Sequence, residues 1–254
     1  MLNKKILLNS LILYIRLIIT SILGVITSRI LLKSLGVSDF GLYAVVGGIV
    51  LVLNFLNTVL ISTSFRFIAF ELGKGEDIKA NEVFNVSLVL HLILSLVLII
   101  FSEIIGVPYI ENYLNLPIER IDDAVFVFRL SVFASLFSVV SIPFQGLITA
   151  KENFIARASV EVISAIAKFI AAYLLINYVG DRLIFYSELM MVAVIIAPII
   201  FIVYAKVTYK KITLFKIYKD SKVYIEFLNF SKWILLGAGA SIGKLQGAAL
   251  ILNA

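Results

Sequence analysis

The sequence predicts an all-α fold, a polytopic transmembrane helix bundle of about seven helices. Of the 254 residues, 61% are hydrophobic and only 15% are charged, and the mean hydropathy is +1.08. A soluble domain of this length carries about 45–50% apolar and about 25% charged residues, and a soluble core cannot bury the surplus. The apolar residues fall in runs of roughly 20, the length that crosses a hydrocarbon core of about 30 Å. Membrane-barrel strands are disfavoured, because they need about ten residues of alternating polarity.

Seven apolar runs give the order of the elements. The first helix is expected to end near Gly36, which can close it in a left-handed conformation, and Ser38 or Asp39 can cap the second. Pro108 and Pro117 are expected to confine the third loop, since proline after a helix prevents its continuation. The predicted spans cover residues 6–32, 41–66, 84–106, 123–149, 155–178, 183–205 and 231–253.

The spans predict a division into lobes and an orientation. Residues 1–205 are expected to form a six-helix N-terminal lobe, residues 206–230 a basic cytoplasmic connecting loop, and residues 231–254 the first helix of a truncated second lobe. Lysine and arginine are concentrated before the first span and after the second, fourth and sixth spans. The positive-inside rule therefore places the N-terminus in the cytoplasm. The loop at 206–230 is interpreted as a connector, with a segment lying among anionic head groups as the alternative.

Charged side chains inside the spans mark the candidate site, since each costs about 2.5–3.5 kcal/mol on insertion scales. Arg16 in the first span, Lys168 in the fifth and Lys244 in the seventh lie near mid-membrane, and Glu161 is their obvious counter-charge. An excess of buried cations over anions predicts a water-filled cavity that awaits an anion. Arg129 in the fourth span is a further candidate, although an interfacial ion pair accounts for it equally well.

Other polar residues recur at helical spacing and form stripes. For most of these positions the simpler account is helix–helix packing. His91 in the third span is interpreted as a hydrogen-bonded structural histidine, with a proton-coupling group as the alternative. Asn54, Asn57, His91 and Glu161 are the candidates for coupling or for lining the cavity. Three of the stripes carry arginine, lysine or glutamate. They are Asn9, Arg16, Thr20 and Thr27 in the first span, Arg157, Glu161, Ser164 and Lys168 in the fifth, and Gly237, Ser241, Lys244 and Ala248 in the seventh.

The sequence offers little for covalent or metal chemistry. The absence of cysteine excludes thiolate metal sites and cysteine nucleophiles. The glycine-rich run before Lys244 lacks the glycine and the hydroxyl residue that a phosphate-binding loop needs. We therefore predict no enzyme activity, cofactor, metal or nucleic-acid partner. The alternative from another class is a membrane-embedded polysaccharide polymerase or glycosyltransferase.

Four stretches, in order along nearly the whole chain, resemble polysaccharide and O-antigen flippases. They lie at the junctions of the spans and in the seventh span. They are SRILLKSLGVSDFGLY at 28–43, FRF at 65–67 with ELGKG at 71–75 and FNVS at 84–87, PFQGLITAKENF at 143–154, and the stretch from SKW at 231–233 through residue 247 with LN at 252–253. The resemblance implies membership of the multidrug/oligosaccharidyl-lipid/polysaccharide exporter superfamily, whose members have two six-helix lobes around a central cavity. The chain would then be the front half of such a protein.

The resemblance also implies a cargo. Flippases of this type move undecaprenyl-pyrophosphate-linked oligosaccharide from the cytoplasmic to the outer leaflet of the bacterial inner membrane by alternating access. The cations of the spans suit a pyrophosphate. The expected partners are the lipid-linked oligosaccharide and membrane lipids, with a polysaccharide polymerase and chain-length machinery beyond them. A peptidoglycan-precursor flippase and a multidrug/cation antiporter are the alternatives within the superfamily.

Overall fold

The computed structural model is helical in nearly all of its described part. It describes the backbone of residues 2–252 and the side chains of residues 7–47, 60–234 and 236–237. The predicted all-α helix bundle is confirmed, because the described residues contain no strand. The helices are α1 (Leu2–Gly73), α2 (Asp77–Phe101), α3 (Val107–Tyr113), α4 (Ile121–Ala150), α5 (Phe154–Leu174), α6 (Arg182–Thr208), α7 (Lys210–Thr213) and α8 (Ser221–Leu252).

Helix α1 consists of two arms that meet at Gly36. Gly36 has φ 75° and ψ 176°, a non-helical conformation that glycine adopts without a steric penalty. The first arm (2–35) contains the predicted span at 6–32, and the second arm (37–73) contains the span at 41–66. The break at Gly36 is therefore confirmed. The second arm begins at once after it, so that Asp39 lies in its first turn.

The third span continues beyond its predicted end. A π-helical segment, Ser102–Gly106, joins α2 to α3, and the Val107 N–H donates to the Ser102 carbonyl. Pro108 lies in the first turn of α3, where the wider π turn before it tolerates the missing N–H. The prediction that Pro108 ends this helix was wrong. Pro117 does lie in the connection, immediately before a 3-10 turn at Ile118–Arg120.

The predicted connecting loop is shorter and more ordered than expected. Helix α6 ends at Thr208, α7 is a single turn, and α8 begins at Ser221, well before the predicted start at residue 231. Asp220 explains the early start, because its Oδ1 accepts the Lys222 N–H at 2.9 Å at the N-terminus of α8. The helix boundary at 231 was wrong, whereas the division into two lobes stays a prediction.

Helix α4 lies at the centre of the bundle and packs against α1, α2, α5 and α6. One buried apolar cluster holds Ile68, Phe84, Phe144 and Phe201 together near the α6–α7 end. A second cluster, toward the opposite end, joins α1, α3, α4 and α6. The second arm of α1 crosses α4 closely at Gly146, where an added Cβ would lie 3.0 Å from the Ser64 Cβ.

The helices suit a membrane. Within the described residues, four helical stretches are long and apolar enough to cross one, namely Leu7–Gly47, Asp77–Tyr113, Ile118–Ala150 and Arg182–Thr208. Helix α5 has 21 residues and carries three charged side chains on its length. The chain is a multi-pass membrane helix bundle.

An ion cluster joins three helices at the end of the bundle where α4 and α6 begin. Arg120 donates to Asp123 and Asp181 at 2.6 Å each, and to Asp39 at 3.1 Å. Burial alone would raise the pKa of Asp181. Hydrogen bonds from the Ile184 N–H and from Arg120 outweigh this effect, so that the pKa lies below its ordinary value.

Candidate functional site

A polar cavity of about 540 Å³ lies between the first arm of α1, α5 and α6. Most residues of the charged stripes predicted on the first and fifth spans line it, whereas Asn9 and Arg157 of these stripes do not. The cavity therefore brings Arg16, Glu161 and Lys168 together. Its lining residues are Arg16, Thr20, Gly24, Thr27, Ser28, Glu161, Ser164, Ala165, Lys168, Tyr186, Met190 and Ala197.

Glu161 binds two arginines at this cavity. Arg16 Nη1 donates to Glu161 Oε2, and Arg157 Nε donates to Glu161 Oε1 at 3.0 Å. Arg157 Nη1 also donates to Thr149 Oγ1 at 3.0 Å, which ties the end of α4 to α5. The Arg16 Nε is buried and has no hydrogen-bond partner among the described residues. Arg16 therefore keeps one donor that its carboxylate partner does not use.

Arg157, which belongs to the charged stripe predicted on the fifth span, joins the site through its ion pair with Glu161. It lies one helical turn before Glu161, at the i, i+4 spacing that brings side chains together on a helix. That spacing was the signal available in the sequence.

Lys168 is the third cation of the group. It lies seven residues after Glu161 on α5, about 10 Å along a helix, and it is partly buried. The structure gives it no ion pair with any described residue. Among the described residues, the three cations Arg16, Arg157 and Lys168 thus accompany a single carboxylate, Glu161, at this site.

Arg129 does not line this cavity. Its guanidinium donates to both carboxylate oxygens of Glu103, at 2.9 and 2.7 Å, on the exposed side of α4. The predicted place of Arg129 in the anion site is corrected accordingly, because Glu103 already supplies a bidentate counter-charge. The ion-pair alternative holds, with Glu103 as the partner.

His91 also lies away from the cavity, in a packing seam. It is 1% exposed, and its Nδ1 donates to the Ser87 carbonyl oxygen at 2.6 Å. The Ser87 hydroxyl in turn lies 2.8 Å from the Ser64 hydroxyl on the second arm of α1. The Ser95 hydroxyl donates to the His91 carbonyl oxygen at 2.8 Å. These contacts favour the structural interpretation of His91 over a role at the cavity.

Three predicted site residues fall outside the described side chains. They are Asn54 and Asn57 on the second arm of α1, and Lys244 on α8. Their roles stay predictions. The site is argued below from Arg16, Arg157, Glu161 and Lys168 alone.

The arrangement of helices matches solved transporters. One of them is a MOP superfamily transporter from Pyrococcus furiosus that has a binding pocket of reverse polarity. It superposes with a TM-score of 0.76 over 95% of this chain at 14% identity. A MATE protein in the straight conformation also gives 0.76, over 98% of the chain at 16% identity. The chain has the fold of one half of a MOP-superfamily transporter.

The fold is also similar to that of a transporter solved in an outward-facing conformation. An outward-facing multidrug resistance MATE family transporter of the MOP superfamily gives a TM-score of 0.72 over 91% of the chain at 16% identity. The chain spans about half the length of these structures, with 54%, 55% and 52% of theirs covered. At such identities the likeness shows the fold, and function must be argued from the site. The sequence matches no protein-family model and no curated protein.

Proposed function

We propose that the chain is part of a flippase that moves undecaprenyl-pyrophosphate-linked oligosaccharide from the cytoplasmic to the outer leaflet of the bacterial inner membrane. The uncompensated positive charge of the cavity carries the proposal. A pyrophosphate diester has one acidic group on each phosphorus, so its negative charge would offset positive charge that Glu161 leaves uncompensated on the described residues Arg16, Arg157 and Lys168. Guanidinium groups bind such oxygens through two parallel hydrogen bonds.

In this proposal Glu161 competes with the substrate phosphate for Arg16. The carboxylate compensates Arg16, and phosphate oxygens compete for the same guanidinium. Substrate binding would transfer Arg16 from Glu161 to the diphosphate, while Glu161 keeps Arg157 one turn away on α5. The exposed fractions of the Arg16 and Glu161 side chains are 25% and 29%, so both are within reach of a ligand in the cavity.

This exchange of partners would also affect the shape of the bundle. The Arg16–Glu161 ion pair connects the first arm of α1 to α5. When the substrate replaces Glu161, that connection is lost, and the first arm is free to move relative to α5. A ligand shifts a conformational equilibrium only through such a difference in contacts between two states. Alternating access in the whole protein would use this difference.

A peptidoglycan-precursor flippase remains the second candidate, because its lipid substrate presents the same pyrophosphate to the same cations. A cation antiporter is disfavoured by the cavity, because Glu161 is already bound to two arginines. The cytoplasmic position of the N-terminus is part of the proposal and is supported by the lysines clustered around the α6–α7 end of the bundle.

The experiment is a complementation assay with the full-length protein in a strain that lacks its own polysaccharide flippase. Arg16→Ala and Lys168→Ala should each abolish display of surface polymer while the protein level in membranes persists. Arg129→Ala is the matched control, since it removes an equal charge outside the cavity and should preserve display. Normal polymer with both cavity variants would rule out the site. Rescue of a peptidoglycan-flippase deficiency instead would select the second candidate.

A further inference from the structure

Two asparagines on α2 fix the segment between α6 and α8 to the bundle. We call residues 209–220 the strap. Asn81 Nδ2 donates to the carbonyls of Ile212 and Leu214 at 2.7 and 2.8 Å. Asn81 Oδ1 accepts the Tyr218 hydroxyl at 2.8 Å. The side-chain amide of Asn81 thus holds both ends of the extended part of the strap.

Asn85, one turn further along α2, adds a second anchor. Its Nδ2 donates to the Leu214 carbonyl at 2.9 Å, and its Oδ1 accepts the Lys216 N–H at 3.1 Å. Asn85 is fully buried, and Asn81 is 8% exposed. Ile212 and Thr213 of the strap are buried too. The backbone of the strap is therefore held in one conformation against α2.

The side chains that the strap leaves exposed are of two kinds. Leu214, Phe215 and Ile217 are large apolar residues with exposed fractions of 66%, 62% and 66%. Around them lie lysines, and residues 206–222 contain six lysines but a single acidic residue, Asp220. The lysines, all exposed, are Lys206, Lys210, Lys211, Lys216, Lys219 and Lys222.

We propose that the strap is a binding surface for anionic phospholipid head groups. It follows directly on α6, whose apolar stretch ends at Thr208, so it lies at the height where a membrane-spanning helix meets the head groups. Apolar side chains beside lysines are the composition that inserts into this boundary. The net positive charge selects anionic over zwitterionic lipids.

The two asparagine anchors add to the affinity. A segment that is already ordered loses little conformational entropy when it binds, and this loss is a main cost of binding for loops. The strap thus differs from a flexible basic loop of the same composition. This proposal is independent of the transported substrate, because none of its residues lines the cavity of Arg16.

The test places a fluorophore on the strap. The 254 residues contain no cysteine, so Phe215→Cys in this chain gives a single site for an environment-sensitive label. The labelled protein is placed in phosphatidylcholine nanodiscs with equal small fractions of either spin-labelled phosphatidylglycerol or spin-labelled phosphatidylcholine. Phosphatidylglycerol should quench the label several-fold more than phosphatidylcholine does. Lys210→Gln with Lys211→Gln should remove most of this preference, since each lysine near an anionic surface contributes about fivefold in binding.

The control variant also removes two lysine charges, at positions close to the strap but outside it. Lys74→Gln with Lys79→Gln lies at the same end of the bundle, but these lysines pair with Glu71 and Glu76, and the preference should persist. Counting the anionic lipids retained by the unlabelled variants, by native mass spectrometry, should give the same order. Equal quenching by both lipids would overturn the proposal. So would quenching by neither, which would mean that protein, an acidic partner included, covers position 215.

Discussion

The substitution Glu161→Gln tests whether Glu161 competes with the substrate for Arg16 or only joins α1 to α5 through an ion pair. It keeps the shape of the side chain and removes its charge, so that the cavity gains one positive charge and Arg16 loses its charged partner. A hydrogen bond to a charged group contributes about 1.5–3 kcal/mol. Because the substrate phosphate no longer has to displace this bond, we expect the affinity for a diphosphate to rise by about one order of magnitude.

The assay is equilibrium binding of a fluorescent prenyl diphosphate to the purified full-length protein. Transport should respond in the opposite direction, because an Arg16 that has lost its alternative partner releases the diphosphate more slowly. Surface polymer in the complementation strain should therefore fall although binding becomes tighter. Glu103→Gln is the matched control, since it breaks the equivalent Arg129 pair outside the cavity and should leave the affinity unchanged. Unchanged or weaker binding by Glu161→Gln would refute the competitor role.

Three further predictions concern the fold. Asn81→Ala should accelerate hydrogen exchange of the strap amides without a comparable change in α4, because the strap loses its four hydrogen bonds to this side chain. Equal exchange in the variant and the unaltered protein would show that the asparagine does not anchor the strap. Gly146→Leu should lower the melting temperature, since overpacking at a helix crossing costs about 1–3 kcal/mol. Arg120→Gln should lower the melting temperature most at neutral pH, because the acidic partners of Arg120 are then ionised and repel one another. The loss should become smaller as the pH falls, because these carboxylates become protonated.

Hydropathy and periodicity predicted the part of the structure that depends on local sequence. The spans follow from the apolar runs, and the break in α1 follows from Gly36. Pro108 misled the prediction, because the tolerance for its missing N–H comes from the π turn before it, which the sequence does not signal. The shared face of Arg16 and Thr20 was visible from helical spacing, and so was that of Glu161 and Lys168.

Contacts across the bundle could be predicted only in part, because the sequence indicated Glu161 as the counter-charge of the span cations but not which of them it binds. Arg16 and Glu161 are separated by 145 positions, and no periodicity within one helix connects them. The strap is a similar case, because Asn81 lies at the polar end of α2, where solvent is a sufficient partner for an amide. Only the return of the chain after α6 places the carbonyls of Ile212 and Leu214 beside it.

The ion pairs of Arg129 and Arg120 provide a comparison for Lys168 in the cavity. Arg129 lies on the exposed side of its helix and is neutralised by a bidentate carboxylate, Glu103. Arg120 has three carboxylate partners at the end of the bundle. Arg120 and Arg129, which both join helices, are thus each supplied with at least one acid. Lys168 lies closer to mid-membrane, where an isolated charge costs more, and it has no such partner among the described residues. This contrast supports the proposal that the cavity binds an anion.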